Sequence, residues 1–195
     1  MFVTFEGPEG AGKSTALRAV AAHLRGDGRT VLTTREPGAG EFGQKIRQIL
    51  LHGEEMPAAS ELFLFLADRA NHVETIIRPA LTQGEWVLCD RHADSTYVYQ
   101  AVARGLDADF VRLANRFATG GLVPDRTLLF DLEPEVGLSR LQSRDRLDAQ
   151  PLEFHRKVRE GFLALADQAP ARFRILDASQ SPEMVLAQAI AALQN

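Results

Sequence analysis

Gly7-Pro8-Glu9-Gly10-Ala11-Gly12-Lys13-Ser14 has the spacing G-x-x-x-x-G-K-[ST], and Thr15 follows it. Glycines at such spacing let backbone N–H groups converge on phosphate oxygens, and the start of a helix adds a favourable dipole. Lys13 is expected to bridge the β- and γ-phosphates of a nucleoside triphosphate, with the Ser14 hydroxyl as a ligand for Mg²⁺. Glu9 looks unfavourable there, because a carboxylate inside an anion-binding loop repels phosphate. It fits if it faces another group, such as a sugar hydroxyl, and so points to a second substrate; solvent-facing decoration is the alternative. Asp90-Arg91 reads as a cation added to the phosphate site, with Asp90 near the metal's hydration shell, or else as a surface salt bridge.

Other pairings suggest where a second substrate sits. Thr34-Arg35-Glu36-Pro37-Gly38 puts a cation beside an acid held by Pro-Gly. Phe65 and Arg69 are four apart, so on a helix they share a face where a ring can stack on a planar base and a guanidinium can bond its edge. A core phenylalanine and a solvated arginine are the plainer reading of the same two residues. The same spacing pairs Ser95 with Tyr99 and Thr96 with Gln100.

These residues need elements to hold them. Phe2–Glu6, Thr30–Thr34, Trp86–Asp90, Arg126–Asp131 and Arg172–Asp177 read as five strands. Several are continuously apolar, as expected of strands covered on both faces. Segments such as STALRAVAAHLRG, stopped by Gly26 and Gly28, read as the helices between them. Alternating β and α elements predict one α/β domain with a parallel five-stranded sheet flanked by helices, whose ligands lie beyond the carboxyl ends of the strands. No repeat, low-complexity tract or linker divides the 195 residues.

Composition agrees. Apolar residues are 45% and charged residues 25%, and the net charge of −4 carries no global basic footprint for nucleic acid. Of the 22 bases, 3 are lysine and 19 arginine, a bias that either phosphate grips or nucleotide composition of the coding sequence could produce. Cys89 alone excludes an internal disulfide and reads as a small core residue. The histidines have no paired ligand spacing, so no further metal site is assigned. The absence of a basic, then apolar leader and of a long apolar run predicts a soluble cytoplasmic protein with no membrane partner. A GTPase-type switch fits poorly: Asp90 and Asp131 do not open D-x-x-G, and no lysine lies in [NT]-K-x-D. A kinase of another nucleoside monophosphate, or a nucleotide-dependent binding protein, stays open on these residues alone.

The segment LCDRHADSTYVYQ (Leu88–Gln100), with GPEGAGKST, TREPG and the Phe65/Arg69 helix in order, resembles the thymidylate kinase family over essentially the whole chain. The resemblance implies a P-loop nucleoside monophosphate kinase that moves the γ-phosphate of ATP to dTMP with Mg²⁺, for dTTP synthesis, in a homodimer. It implies that Phe65 stacks on thymine, Arg69 bonds O4, and Gln100 reads the base edge. Ser95, Thr96 and Tyr99 would line the pocket, with Tyr99 disfavouring a ribose 2′-hydroxyl. Arg35, Arg47 and Arg91 would hold the acceptor phosphate, with Glu9 on the 3′-hydroxyl and Glu36 beside the phosphate. Bacterial members with this loop type supply a transfer arginine from a short helical lid, here residues 140–152. Arg146, then Arg144, is the expected transfer arginine, and Arg140 is expected beside the adenine. Where such lids carry D-R-x-E, this chain has Asp145-Arg146-Leu147-Asp148 and is several residues shorter.

Overall fold

A computed structural model of the chain describes residues 1–143 and 145–194. Strands β1 (Phe2–Glu6), β2 (Val31–Arg35), β3 (Trp86–Asp90), β4 (Arg126–Asp131) and β5 (Phe173–Asp177) form one parallel sheet in the order β2-β3-β1-β4-β5. β2 lies one residue further along than its apolar run suggested. β5 starts at Phe173 because the Arg172 N–H still closes a turn onto the Ala169 carbonyl at 3.0 Å; the Arg172 side chain is taken by Asp94 at 2.6 and 3.0 Å and by Thr127 at 2.7 Å.

The continuous apolar runs have a direct cause. Val3 and Phe5 of β1, with Leu88, Leu128 and Phe130, pack beneath α1 (Lys13–Gly26) and α9 (Pro182–Gln194). Phe2, Val87 and Cys89 face the other side, against the helices that begin at α3 (Ala58–His72) and continue through the π-helical turn Val73–Ile77 into α4 (Arg78–Thr82). On that side lie also α5 (Ala93–Thr96), the π-helical segment Tyr97–Ala103, α6 (Ala108–Ala118) and α8 (Leu152–Gln168). With both faces covered, alternation has no value. α2 (Gly40–His52) packs on α3.

The carboxyl ends of β1, β2 and β3 are tied together, which gathers their loops. Arg91 N–H donates to the Phe5 carbonyl at 3.0 Å, and Glu36 N–H to the Asp90 carbonyl at 2.9 Å. Beyond β4, α7 (Pro134–Ser139) presses against the phosphate loop: a Cβ on Gly137 would collide with the Glu9 carbonyl, and one on Gly10 with the Gly137 carbonyl.

Two local expectations need correction. Tyr97–Ala103 is wound as a π-helix, so residues four apart drift off a common face. Ser95 and Tyr99 still share a recess, whereas Thr96 enters it and Gln100 turns to Glu61 at 2.6 Å. The expected lid helix is also absent among the described residues between α7 and α8. Asp145 accepts N–H bonds from Leu147 at 2.8 Å and Asp148 at 2.9 Å, which favours a turn over a helix there.

Candidate active site

The phosphate loop brings Gly7, Pro8, Glu9, Gly10, Ala11 and Gly12 over the start of α1. Gly10 and Gly12, at φ 66° and 84°, take left-handed backbone that side chains resist. Lys13 is buried and donates to the Gly7 carbonyl at 3.0 Å and the Pro8 carbonyl at 2.6 Å. Burial, reinforced by Arg91, lowers its pKa to about 8 against the pull of Asp90, Glu9 and Glu6. The Ser14 hydroxyl donates to the Asp90 carboxylate at the mouth of the loop.

An open cleft runs from the loop, and Lys13, Arg35, Arg47 and Arg91 all line it. Arg35 is exposed there, and Arg47 is oriented by a 2.9 Å bond to the Pro37 carbonyl. A separate groove holds Ala11, Gly12, Thr15 and Arg140, whose guanidinium lies 3.4 Å from both the Gly10 and Ala178 carbonyls.

Arg91, like Arg47 and Glu9, lines both the cleft and an inner recess. Its φ is 68°, the only positive value at a non-glycine among the described residues. Such a conformation costs on the order of 1–3 kcal/mol. The guanidinium donates to the Gly7 carbonyl at 3.0 Å, Ser95 at 3.1 Å and Glu9 at 3.1 Å, and lies over the Tyr99 ring. Hydrogen bonds involving charged groups contribute about 1.5–3 kcal/mol each, so the contacts outweigh the strain.

Glu9 is buried rather than solvent-facing. It accepts from Arg91, from the Tyr99 hydroxyl and, at 3.3 Å, from His155 Nδ1. Burial opposes its charge, but the His155 bond and the charges of Arg91 and Lys13 prevail and hold its pKa at about 2.

The recess is lined on one side by half-buried Phe65 and on the other by Ser95, Thr96 and Tyr99. Arg69 is not a solvated arginine: it is 1% exposed. Its guanidinium grips Glu36 through Nε at 2.9 Å and Nη2 at 2.8 Å, and donates to Thr96 at 2.9 Å and Asn115 at 2.7 Å. One Nη2 proton remains for a ligand. Glu36 is as deeply placed, with His72 at 2.8 Å and His92 at 2.9 Å on its other oxygen. Burial works against its charge, yet Arg69 and His92 keep its pKa well below the carboxylate range. Removing one partner from such a buried pair typically costs about 3–5 kcal/mol.

The remaining expected residues lie outside both cavities. Gln100 is fully buried on Glu61, its Oε1 without a hydrogen-bond partner. Arg146 donates to the Leu50 carbonyl at 3.0 and 2.8 Å and to Glu61, so its guanidinium is docked on α2 and α3 rather than on the phosphate loop. Arg144 lies outside the described residues. Leu147, beside Arg146, packs with Ile46, Leu50 and Leu51 next to Phe65 and covers one side of the recess.

Several functional partners are missing from the sequence reading. Glu61 collects Gln100, Arg104 and Arg146; His155 holds Glu9; His72, His92 and Asn115 hold the Glu36–Arg69 pair. The one available signal was an isolated acid inside an apolar helix start, Glu61 before LFLFLA. Glu36, Cys89 and His92 also come within ligand distance of one another, but Glu36 is already saturated by cationic and imidazole donors and burial keeps the Cys89 thiol protonated.

The family model described as thymidylate kinase matches residues 5–189. The thymidylate kinase of Desulfovibrio desulfuricans is 50% identical over the full chain and 95% of that protein. The thymidylate kinase of Synechococcus sp. strain JA-2-3B'a(2-13) is 49% identical over 96% of this chain and 91% of its own. The crystal structure of thymidylate kinase from Ehrlichia chaffeensis superposes with a TM-score of 0.83 at 31% identity, covering 100% of this chain and 98% of that one.

Proposed function

The chain belongs to the thymidylate kinase family and phosphorylates dTMP to dTDP, and from that premise we propose how its residues divide the reaction. The observation that carries the proposal is the position of Arg91, which reaches the phosphate loop, Ser95 and the buried Glu9 at once. A cation shared by two cavities can hold the acceptor phosphate against the incoming phosphoryl group, and phosphoryl transfer needs positioning and charge cancellation more than covalent chemistry.

The cleft takes the donor, ATP, by this reading. Lys13 and the loop N–H groups hold its phosphates, and Arg140 flanks the adenine in the neighbouring groove. Ser14 and Asp90 present adjacent hydroxyl and carboxylate oxygens, a hard donor set suited to Mg²⁺, with Asp90 acting through water. Mg²⁺ bound there would neutralise charge on the β- and γ-phosphates.

The recess takes dTMP. Phe65 stacks on the base, the free Arg69 proton meets O4, and Ser95, Thr96 and Tyr99 enclose the sugar and base. Gln100, packed on Glu61 outside the recess, must turn its unpartnered Oε1 inward to read the base edge. Arg35, Arg47 and Arg91 hold the acceptor phosphate. Glu9 takes the 3′-hydroxyl; Glu36, expected beside the phosphate, is engaged by Arg69 and serves the base end of the recess by holding it. Residues 140–152 are the lid of one nucleoside monophosphate kinase domain spanning 1–195. Arg146 and Arg144 are its candidates for the transfer charge, and Arg146 must leave Glu61 to reach the donor.

The partner surface is α6, where Phe110, Leu113 and Phe117 leave 47%, 66% and 88% of their surface exposed along one face. A second copy of the chain is the proposed occupant. No described helix is long and apolar enough to cross a membrane. A cytoplasmic enzyme of small nucleotides, without nucleic-acid or membrane partners, fits the acidic balance of the chain.

The division of the two cavities is tested by Phe65→Ala. Loss of a base–aromatic stack costs about 1–3 kcal/mol, so the KM for dTMP should rise at least about fivefold while the KM for ATP stays within about twofold. Equal loss for both nucleotides would refute the assignment.

A further inference from the structure

Glu6 ends β1, is fully buried and lines neither the cleft nor the recess. Both of its carboxyl oxygens are nevertheless committed to the segment after β3. Oε1 accepts the backbone N–H of His92 at 2.7 Å, and Oε2 accepts the Ser95 hydroxyl at 2.5 Å. These partners bracket Arg91. The His92 N–H belongs to the peptide that leaves the left-handed Arg91 backbone, and Ser95 Oγ is where the Arg91 guanidinium ends. One carboxyl group thus governs the base and the tip of the same arginine.

That arrangement works against the chemistry of burial. Burial and the Asp94 charge on α5 push the Glu6 carboxyl up to about 8, with Ser95, Arg91 and the His92 N–H pulling the other way. An apolar side chain at this strand end would carry no such penalty. The oxygens therefore have a use that packing does not supply.

We infer that Glu6 is a positioning residue for phosphoryl transfer: it holds Arg91 in its left-handed conformation with the guanidinium turned onto the phosphate loop. The inference rests on the role given to Arg91 above. Cys89 adds a lesser restraint, its thiol donating to the Arg91 carbonyl at 3.0 Å.

The test is a double-mutant cycle of Glu6→Gln and Arg91→Ala, read as kcat and KM on folded protein. Assayed at pH 9, where the Glu6 carboxyl is ionised and accepts through both oxygens, Glu6→Gln keeps the volume and one acceptor oxygen but replaces the second with an NH2 donor. It should lower kcat at least about tenfold with the KM for ATP within about twofold, and should add nothing further in the Arg91→Ala background. Independent, multiplying losses would overturn the inference, as would a Glu6→Gln enzyme with wild-type kcat. Glu6→Asp supplies the same cycle if the glutamine variant does not fold, and failure of both to fold would make Glu6 a scaffold residue and refute it. Wild-type kcat in Arg91→Ala would instead refute the role of Arg91 itself.

Discussion

Lys13 is asked to be charged in a place that resists charge. It is buried in the loop, beside Arg91, and its pKa falls to about 8. The protonated form binds phosphate, so ATP affinity should weaken as the pH rises through about 8. Bound phosphates favour the charged form again, so ATP binding near pH 8 should take up a proton by way of Lys13. Calorimetry in two buffers of different ionisation enthalpy measures that uptake, and Lys13→Arg, which cannot lose its charge, should abolish its Lys13 component. Equal uptake in the variant would contradict the account. The arginines divide by the same standard. Arg35, Arg47 and Arg91 line the phosphate cleft, whereas Arg172 is spent on Asp94 and Thr127 and Arg104 on Glu61. The arginine bias of the chain serves the fold at Arg172 and Arg104, and by the proposed reading serves the ligand at Arg35, Arg47 and Arg91.

At the scale of elements, the π-helical segment, the lid turn and α6 each add something the individual residues do not. The π winding sends Tyr99 to Glu9 and Gln100 to Glu61 from adjacent positions. Arg146 and Leu147 fasten the lid turn to α2 and α3, so lid position and the closure of the recess change together. In α6, Asn115 faces inward to Arg69 while Leu113 and Phe117 face out. A partner on the outer face would thus steady the helix that braces Arg69. Leu113→Glu together with Phe117→Glu should shift the mass by light scattering from twice 21.5 kDa to a single chain of 21.5 kDa. An unchanged dimer would move the interface elsewhere, and a monomeric parent protein would remove it.

For the whole molecule, the sheet and the phosphate loop were legible because their signals are local. Unbroken apolar strands and G-x-x-x-x-G-K-S each sit within a few consecutive residues. The ion pairs were not legible, because a partner is chosen by the assembled fold. Arg69 meets Glu36 and Asn115 from distant segments, and Arg146 meets Glu61 across 85 positions of sequence. Phe65 was visible by spacing, but its half-buried edge depends on Leu147, far along the chain. What the fold adds is a recess beside an open cleft, with Arg91 and Arg47 lining both. The most direct measurement of that claim is the initial rate with dTMP, dUMP, CMP and AMP as acceptors at saturating ATP and Mg²⁺. The highest kcat/KM is expected for dTMP, with dUMP lower by about 10–200-fold for its missing methyl and CMP and AMP lower still. Folded protein that leaves dTMP untouched, or that turns over CMP or AMP faster, would contradict it.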